Sequence, residues 1–319
     1  MKVGVIGAGS MGKNHIRVLS GMDSVSSVAV FDPFLSEKLL PSKVVSFQDL
    51  QTFLDEDLDY CVVSSPTSSH MDLAIALAER GVPALIEKPL ATSAVEALRV
   101  AEVFENKKVF GAVGHIERFS PASIALRAKL REGAIGEILQ VTTRRIGPYS
   151  GRINDVGAVK DLASHDIDLV SWLVGSKYDW VSSLTLAPLG NAHEDGLLAL
   201  ARLQNGTAVQ HTVNWISPIK ERVTVILGEG GMLVADTLTG DLYHHQNGTS
   251  INAWNAMSQL RGVSQGAVVK FELARVEPLL SEHLAFQNAI ATGTAGDVAT
   301  LREGLEVLRV AEQLVQMAR

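Results

Sequence analysis

Short, almost uninterrupted apolar runs alternate with helix-like segments from the N-terminus to about Gly114. The runs include VGVIG, VAVF, YCVVSS and ALIE, and amphipathic stretches such as HMDLAIALAERG separate them. Strands that are apolar on both faces are typical of parallel sheets covered by helices on both sides. The pattern therefore predicts a doubly wound α/β domain, which we assign to residues 1–118.

After Phe119 the apolar residues recur at every second position. EILQVTTRRIG, LLALARLQNGTAVQHTVNW and RVTVILGEGGMLVAD show this alternation, and QNGT and TGD supply turns. Such segments are typical of antiparallel hairpins. The segments Leu279 to Ala291 and Leu301 to Ala318 have helical apolar spacing. Residues 119–319 are therefore predicted to form an α+β domain.

Composition indicates a soluble globular protein whose partner is a small molecule. The chain has 319 residues, 46% hydrophobic and 20% charged, with a net charge of −7. This charge argues against a broad surface for nucleic acid or anionic membrane. The one cysteine, Cys61, lies in an apolar run and fits a reducing compartment, so we expect a cytoplasmic protein. No apolar run has the length of a membrane span or the pattern of a secretory signal.

A glycine-rich turn directly follows the first apolar run, KVGVI. Its residues are Gly7-Ala8-Gly9-Ser10-Met11-Gly12. This spacing permits a tight turn and directs backbone amides and a helix N-terminus at a pyrophosphate. The next run, VAVFD, ends in Asp32, where a carboxylate can bind ribose hydroxyls. The motif predicts a Rossmann dinucleotide site, and Asp32 favours NAD over NADP because it repels a 2′-phosphate.

Two further strand ends should lie beside that site, because open parallel sheets bind ligands at the carboxyl ends of their strands. The run ALIE ends in Glu87-Lys88-Pro89, and CVVSS is followed by Pro66 and His70. A lysine followed directly by proline at this edge indicates a functional side chain. The cofactor contacts predicted from these two segments are Ser65, Pro66, His70, Glu87 and Lys88.

The segment DLASHDIDLVSWLVG carries a carboxylate and an imidazole at helical spacing. Asp161 and His165 are four residues apart, so they share a helix face. The carboxylate can orient the ring and favour its charged form, which suits a proton acceptor near neutral pH. An exposed helical pair, an N-cap and a metal site are the alternatives. We predict no metal, because the chain has no cysteine or HExxH cluster.

The glycine motif, VVSSPTSSH, EKPL, GHIERFSP and DLASHDIDL together resemble the Gfo/Idh/MocA family of NAD(P)-dependent sugar and polyol dehydrogenases. The resemblance covers essentially the whole chain. It implies that Lys88, Asp161 and His165 line the active site. It also implies an open antiparallel sheet in the second domain that often mediates oligomerisation, so we expect a homo-oligomer, either a dimer or a tetramer.

The resemblance implies hydride transfer from a secondary hydroxyl of a sugar derivative. His165 would take the hydroxyl proton while Lys88 stabilises the developing alkoxide. The final base could be either residue, because with Asp161 they would titrate as coupled groups. An inositol or free-sugar dehydrogenase and a non-catalytic NAD-binding regulator are the alternatives, and the intact set of three residues argues against the regulator.

Three arginines close together predict an anionic substrate. Arg144, Arg145 and Arg152 lie in TTRRIGPYSGRINDVG, and guanidinium groups bind phosphates and carboxylates bidentately. Neighbouring residues of a strand point to opposite faces, so Arg152 in its turn-rich loop is the first candidate. The segment is also similar to family members acting on UDP-N-acetylglucosamine, which implies a UDP-linked amino sugar. The predicted substrate contacts are Lys88, Arg118, Tyr149, Arg152, Asp161 and His165.

Overall fold

The computed structural model describes residues 1–34, 41–149, 156–190, 192–248 and 264–318. The chain divides into two compact units. Unit 1 contains Met1–Ile116 and Glu277–Arg309, and unit 2 contains Glu117–Val276 and Val310–Arg319. The division near residue 117 lies close to the predicted one. The segment Glu277–Arg309, which we had assigned to the second domain, instead belongs to the first.

The helices and strands follow one another along the chain with short connections. The first group is β1 (Lys2–Ile6), α1 (Ser10–Gly21), β2 (Ser27–Phe31), β3 (Val44–Phe47), α2 (Leu50–Leu54), β4 (Tyr60–Val63), α3 (His70–Glu79), β5 (Ala84–Glu87), α4 (Ala94–Lys107) and β6 (Gly111–Gly114). The second group is α5 (Pro121–Arg131), β7 (Ile138–Pro148), α6 (Ser164–Val174), β8 (Tyr178–Leu186), β9 (Gly196–Leu203), β10 (Ala208–Asn214), β11 (Ile216–Gly228), β12 (Gly231–Asp236), β13 (Asp241–Gly248) and β14 (Ser264–Phe271). The last group is α7 (Pro278–Thr292), β15 (Ala299–Thr300) and α8 (Leu301–Met317).

The sheet of unit 1 confirms the doubly wound prediction. Its order is β15-β6-β5-β4-β1-β2-β3, and β15 is the one antiparallel member among the described strands. The strand order reverses beside β1, which lies between β2 and β4, so a ligand is expected at this switch point. Ile6 is in register with Phe31 and with Val63, and Val63 is in register with Ile86. The carboxyl ends of four strands therefore meet at one edge.

The return of the chain to unit 1 explains why the predicted division was wrong for Glu277–Arg309. Strand β15 pairs with β6, with Ala299 opposite Val113. On helix α7, the Phe286 ring lies 5.3 Å from that of Tyr60. The apolar spacing of this segment predicts a helix correctly, but it carries no information about which sheet the helix covers.

The sheet of unit 2 is antiparallel, as predicted, except at one pair. Its order is β14-β13-β12-β11-β7-β10-β9-β8, and β7 runs parallel to β10. Between these two strands the chain passes through α6 and the hairpin β8–β9, so β10 enters the sheet beside β7 in the same direction. The predicted turns are confirmed: Gly206 joins β9 to β10 with φ of +91°, and Gly240 joins β12 to β13 with φ of +71°.

Part of the second sheet, on strands β8 and β9, carries exposed apolar side chains on its outward face. Along β9, Leu197, Ala199, Ala201 and Leu203 are buried, whereas Leu198 and Leu200 are 44% and 57% exposed. Leu184 on the neighbouring β8 is also 57% exposed and is in register with Leu198. The outward side chains of Leu184, Leu198 and Leu200 therefore form an apolar patch on β8 and β9. Among the described residues, no helix combines the length and hydropathy needed to cross a bilayer.

Candidate active site

Two glycines of the turn after β1 are required by close backbone approach. Gly7 has φ of +92°, and a Cβ added there would lie 2.7 Å from the backbone of Ser65. A Cβ on Gly12 would lie 1.9 Å from the carbonyl oxygen of Gly7. The turn can therefore pack against the end of β4 only when these positions lack side chains. This is the close approach that the motif predicts.

The residues around this turn fit a dinucleotide. Helix α1 begins after Gly9, and a Cβ added to Gly9 would meet no protein atom within 4 Å, so space remains beside the helix N-terminus for a phosphate. The first turn of α1, which includes Ser10 and Met11, contains no acidic residue that would repel it. Asp32 accepts hydrogen bonds from the backbone N–H groups of Ala8 at 2.7 Å and Phe34 at 2.8 Å. Its carboxylate oxygens retain acceptor capacity for ribose hydroxyls.

Both ring nitrogens of His70 are engaged by the backbone. Its side chain is buried, and its ring nitrogens lie 2.9 Å from the carbonyl oxygens of Pro89 and Ser65. His70 therefore joins the loop after β4, which contains Ser65 and Pro66, to the loop after β5. A contact of His70 with the cofactor stays a prediction, and it would have to use the ring carbons.

Glu87 is buried, and both of its carboxylate oxygens have protein partners, while its predicted contact with the cofactor stays a prediction. Its Oε1 lies 2.8 Å from His15 Nε2, and its Oε2 accepts a hydrogen bond from the backbone N–H of Lys88 at 3.2 Å. Burial alone would raise the pKa of Glu87, but the hydrogen bond from His15 and the charges of His15 and Lys88 outweigh it and lower the pKa. Lys88 itself is half-buried and is joined to Pro89 by a cis peptide bond.

Asp161 and His165 lie on one continuous helical segment, as the sequence predicts. Asp161 belongs to a turn of π-helix, Val159–Ala163, which runs directly into α6 with His165 in its first turn. Hydrogen bonds in a π turn span one residue more than in an α turn, so residues four apart remain close to one face. Both side chains are half-buried. Such π turns are frequent at functional sites.

Glu194 fixes the beginning of this helical segment. Its carbonyl oxygen accepts from the Ala158 N–H at 2.9 Å, and its Oε1 accepts from the Val159 N–H at 3.0 Å. A Cβ on Gly157 would lie 2.1 Å from Glu194 Oε1, so the contact needs a glycine there. A carboxylate at a helix N-terminus is electrostatically favourable. Sequence reasoning missed Glu194, because no local pattern links it to a helix that begins far earlier in the chain.

Two buried groups of ion pairs hold helix α6 after His165. Arg145 Nε lies 2.8 Å from Asp166 Oδ1, and Arg145 NH1 lies 2.9 Å from Glu117 Oε1. Arg118 contacts both carboxylate oxygens of Asp168, with Nε 2.8 Å from Oδ2. These contacts connect α6 to β7 and to the short helical turn Ile116–Phe119.

Three of the arginines considered for substrate binding are engaged by carboxylates. Arg118 is 2% exposed and its guanidinium binds Asp168 on α6, while its predicted contact with substrate stays a prediction. Arg145 is buried between two carboxylates, and Arg144 pairs with Glu221 at the surface. The predicted anion contact therefore depends on Arg152, which lies outside the described residues. Tyr149 packs against Trp215, with ring centroids 5.2 Å apart.

Family models match both parts of the chain. The model described as an oxidoreductase family with an NAD-binding Rossmann fold matches residues 1–115, and that of the GFO/IDH/MocA C-terminal domain matches residues 124–234. This protein belongs to the Gfo/Idh/MocA family. It is an NAD(P)-dependent dehydrogenase acting on CH–OH groups, and its substrate is a small molecule.

Individual Gfo/Idh/MocA relatives act on different substrates. UDP-N-acetylglucosamine 3-dehydrogenase of Acidithiobacillus ferrooxidans is 28% identical over 91% of this chain and 89% of that enzyme. Inositol 2-dehydrogenase of Acidothermus cellulolyticus is 31% identical over 66% of this chain and 64% of that enzyme. The structure of levoglucosan dehydrogenase with NADH and levoglucosan has a TM-score of 0.83 and 20% identity, covering 100% of this chain and 97% of the other. This last likeness shows a shared fold.

Replacing Arg145 with methionine should destabilise unit 2 by about 3–5 kcal/mol, because Asp166 and Glu117 would lose the cation that compensates their burial. The adjacent Arg144→Met should cost less than about 1 kcal/mol, because its pair with Glu221 is exposed. All four tryptophans lie in residues 117–276, so urea unfolding followed by tryptophan fluorescence reports on this unit. Equal shifts of the two unfolding midpoints would contradict the structural role of Arg145.

Proposed function

We propose that this Gfo/Idh/MocA dehydrogenase oxidises a ring secondary hydroxyl of a UDP-linked amino sugar. The observation that carries the proposal is the extent of similarity to UDP-N-acetylglucosamine 3-dehydrogenase, which covers 91% of this chain. Similarity to the inositol dehydrogenase covers 66% of it. A likeness that extends through both units bears more directly on substrate choice, which we assign to the second unit.

The proposed roles follow from where charge develops in the reaction. NAD, when bound, supplies the hydride acceptor. As the carbinol carbon becomes a carbonyl carbon, its hydroxyl oxygen gains negative charge and releases a proton. The Lys88 ammonium stabilises that charge, and His165, oriented by Asp161, accepts the proton. Lys88 suits this role because it lies at the carboxyl end of β5, beside the strand ends that form the dinucleotide site.

A neutral polyol such as inositol is the second candidate. Arg144 and Arg145 are both engaged by carboxylates, which removes two of the three arginines that favoured an anionic substrate. The identity of 31% to an inositol 2-dehydrogenase supports the same alternative. Both candidates require the same reaction at a secondary hydroxyl, so a comparison of substrates distinguishes them.

Steady-state oxidation of UDP-N-acetylglucosamine, its uronate, myo-inositol and glucose should be compared at saturating NAD. We expect kcat/KM for a UDP-sugar to exceed that for the neutral polyols. With the preferred substrate, Lys88→Ala and His165→Ala should each lower kcat by about a hundredfold or more, the low end for losing a positioned electrostatic or acid–base group. Their affinity for NAD, measured by calorimetry, should change far less.

The exposed Lys107→Ala on α4 is the matched lysine control and should retain normal turnover. Efficient use of inositol without turnover of UDP-sugars would replace the first candidate with the second. Tight NAD binding without turnover of any sugar or polyol would favour the alternative that the protein is a non-catalytic NAD-binding regulator. Normal kcat in Lys88→Ala or His165→Ala would remove that residue from the mechanism.

We also propose that the cofactor is NAD in preference to NADP. The Asp32 carboxylate repels a 2′-phosphate, and it also accepts the Ala8 N–H of the glycine turn at 2.7 Å. Asp32→Asn removes the charge and retains an oxygen for Ala8, so it tests repulsion without removing the loop contact. The ratio of kcat/KM for NAD to that for NADP should fall by about tenfold or more. A wild-type protein that already prefers NADP would refute this assignment.

A homo-oligomer formed through the open face of the second sheet is the proposed assembly. The support is the apolar surface that Leu184, Leu198 and Leu200 form on β8 and β9. Leu200→Glu would bury a charge in such an interface and should shift the molar mass measured by light scattering toward the monomer. Val95→Glu, at a 79% exposed position on α4, is the control and should leave the mass unchanged. A Leu200→Glu protein with unchanged mass would exclude this face.

A further inference from the structure

A continuous series of buried hydrogen bonds crosses unit 1 from helix α7 to the residue before Lys88. Gln287 Nε2 donates to Tyr60 OH at 3.3 Å, and Tyr60 OH lies 3.2 Å from His283 Nδ1. His283 Nε2 lies 3.0 Å from His15 Nδ1, and His15 Nε2 lies 2.8 Å from Glu87 Oε1. The other oxygen of Glu87 accepts the backbone N–H of Lys88. We call Tyr60, His283, His15 and Glu87 the buried relay.

The donors and acceptors of the buried relay are consistent with a charged Glu87 carboxylate at its end. A Glu87 carboxylate can only accept, so His15 must donate from Nε2. With His15 neutral, its Nδ1 accepts from His283 Nε2, and His283 Nδ1 accepts from the Tyr60 hydroxyl. With His15 charged, its Nδ1 donates to His283 Nε2, and His283 Nδ1 donates to the Tyr60 oxygen. The Tyr60 oxygen accepts from the Gln287 amide. In both patterns His15 donates to Glu87.

The surroundings of three of these groups set their protonation states. Burial lowers the pKa of His283 well below its usual value, so His283 is neutral. Burial raises the pKa of Tyr60, which keeps its hydroxyl protonated. The pKa of Glu87 is lowered, so this carboxyl remains charged. His283, Tyr60 and Glu87 therefore each have one dominant protonation state at neutral pH.

We propose that the buried relay positions Lys88 for catalysis by fixing the Glu87 carboxylate that binds the Lys88 backbone. The proposal rests on the proposed role of Lys88. Gly114 on β6 leaves the room the carboxylate needs, because a Cβ there would lie 3.2 Å from Glu87 Cδ. On the other side of Lys88, the ring of His70 contacts the Pro89 carbonyl oxygen. The residues on either side of Lys88, Glu87 and Pro89, are thus each contacted by a buried histidine.

A purely structural core would not need this arrangement. His15 and His283 are fully buried, and replacing buried polar groups with well-packed apolar ones is often neutral or stabilising. A fully satisfied polar network instead fixes one geometry of the groups at its end. Here the end is the peptide N–H of Lys88. His15, His283 and Tyr60 are accordingly positioning residues that act through Glu87.

Histidine tautomers give a test that needs neither substrate nor cofactor. In the protein labelled with ¹⁵N-histidine, NMR at neutral pH should show His283 as a neutral ring and His15 with hydrogen on Nε2. Tyr60→Phe removes the hydroxyl while retaining the ring, and it should shift the His283 Nδ1 signal. A His15 ring without hydrogen on Nε2, or a charged His283, would overturn the proposed contacts.

Double-mutant kinetics test the effect on Lys88. These experiments use the preferred substrate from the comparison of UDP-sugars, inositol and glucose. His15→Leu should lower kcat by on the order of 10- to 100-fold, because it would misplace a catalytic group, and it should change NAD affinity little. His15→Gln should restore most of the loss, because its amide can donate to Glu87. In the Lys88→Ala background, His15→Leu should change kcat by less than about twofold. His244→Leu, a buried histidine of β13, controls for the loss of a buried ring.

The outcomes separate this proposal from the proposed function. Normal turnover in Lys88→Ala would contradict the proposed role of Lys88 itself. A large loss in Lys88→Ala together with normal kcat in folded His15→Leu would overturn the relay alone. Independent, multiplicative losses in the double mutant would also overturn it, because they would show that His15 does not act through Lys88. If His15→Leu does not fold, Tyr60→Phe takes its place in the cycle and should lower kcat in the same non-additive way.

Discussion

The burial of one charged carboxylate, that of Glu87, constrains most of unit 1. Removing a carboxylate from water costs several kcal/mol unless nearby groups compensate it. Here the compensation comes from His15 on α1, from the Lys88 peptide and from the lysine charge, while Gly114 on β6 leaves the space. His15 in turn contacts His283 of α7, so a helix near the end of the chain is tied to the strand end that carries the candidate catalytic lysine. Repacking any of these elements would expose the carboxylate or leave it unpaired.

In unit 2, a compensated buried carboxylate likewise lies next to a candidate catalytic residue, His165. Lys88 directly follows the buried Glu87, and His165 directly precedes the buried Asp166, whose carboxylate binds Arg145. A compensated buried charge has few alternative positions, because any movement breaks short hydrogen bonds in a low-dielectric interior. The backbone position of the adjacent residue, Lys88 or His165, is therefore well defined. Residues that perform proton transfer need such placement more than they need additional contacts of their own.

The sequence predicts what is encoded locally, and it fails where a contact joins distant segments. The glycine turn, the strand ends, the two hairpin turns and the helix bearing Asp161 and His165 each follow from patterns within short windows. His15 and His283 are separated by most of the chain, and each one alone looks like an ordinary helical histidine. The sequence predicts Arg118 as a substrate contact and Arg145 as a candidate anion-binding residue, because it shows no connection between these arginines and their carboxylate partners, Asp168 and Asp166. The position of α7 was missed for the same reason.

With Arg118, Arg144 and Arg145 engaged by carboxylates, the other predicted substrate contacts of unit 2 are Tyr149, Arg152, Asp161 and His165. The adjacent residues Glu194 and Asp195 connect two of them. Glu194 caps the segment that carries Asp161 and His165, while Asp195 Oδ1 accepts the indole N–H of Trp215 at 2.8 Å. Trp215 packs against Tyr149, the predicted substrate contact. Asp195 is fully buried and also accepts a hydrogen bond from the Leu189 backbone N–H. It therefore cannot move without breaking its contacts with the Trp215 indole and with Leu189. The adjacent residues Glu194 and Asp195 thus set the positions of the segment that carries the proposed proton acceptor and of the aromatic pair that includes the predicted substrate contact.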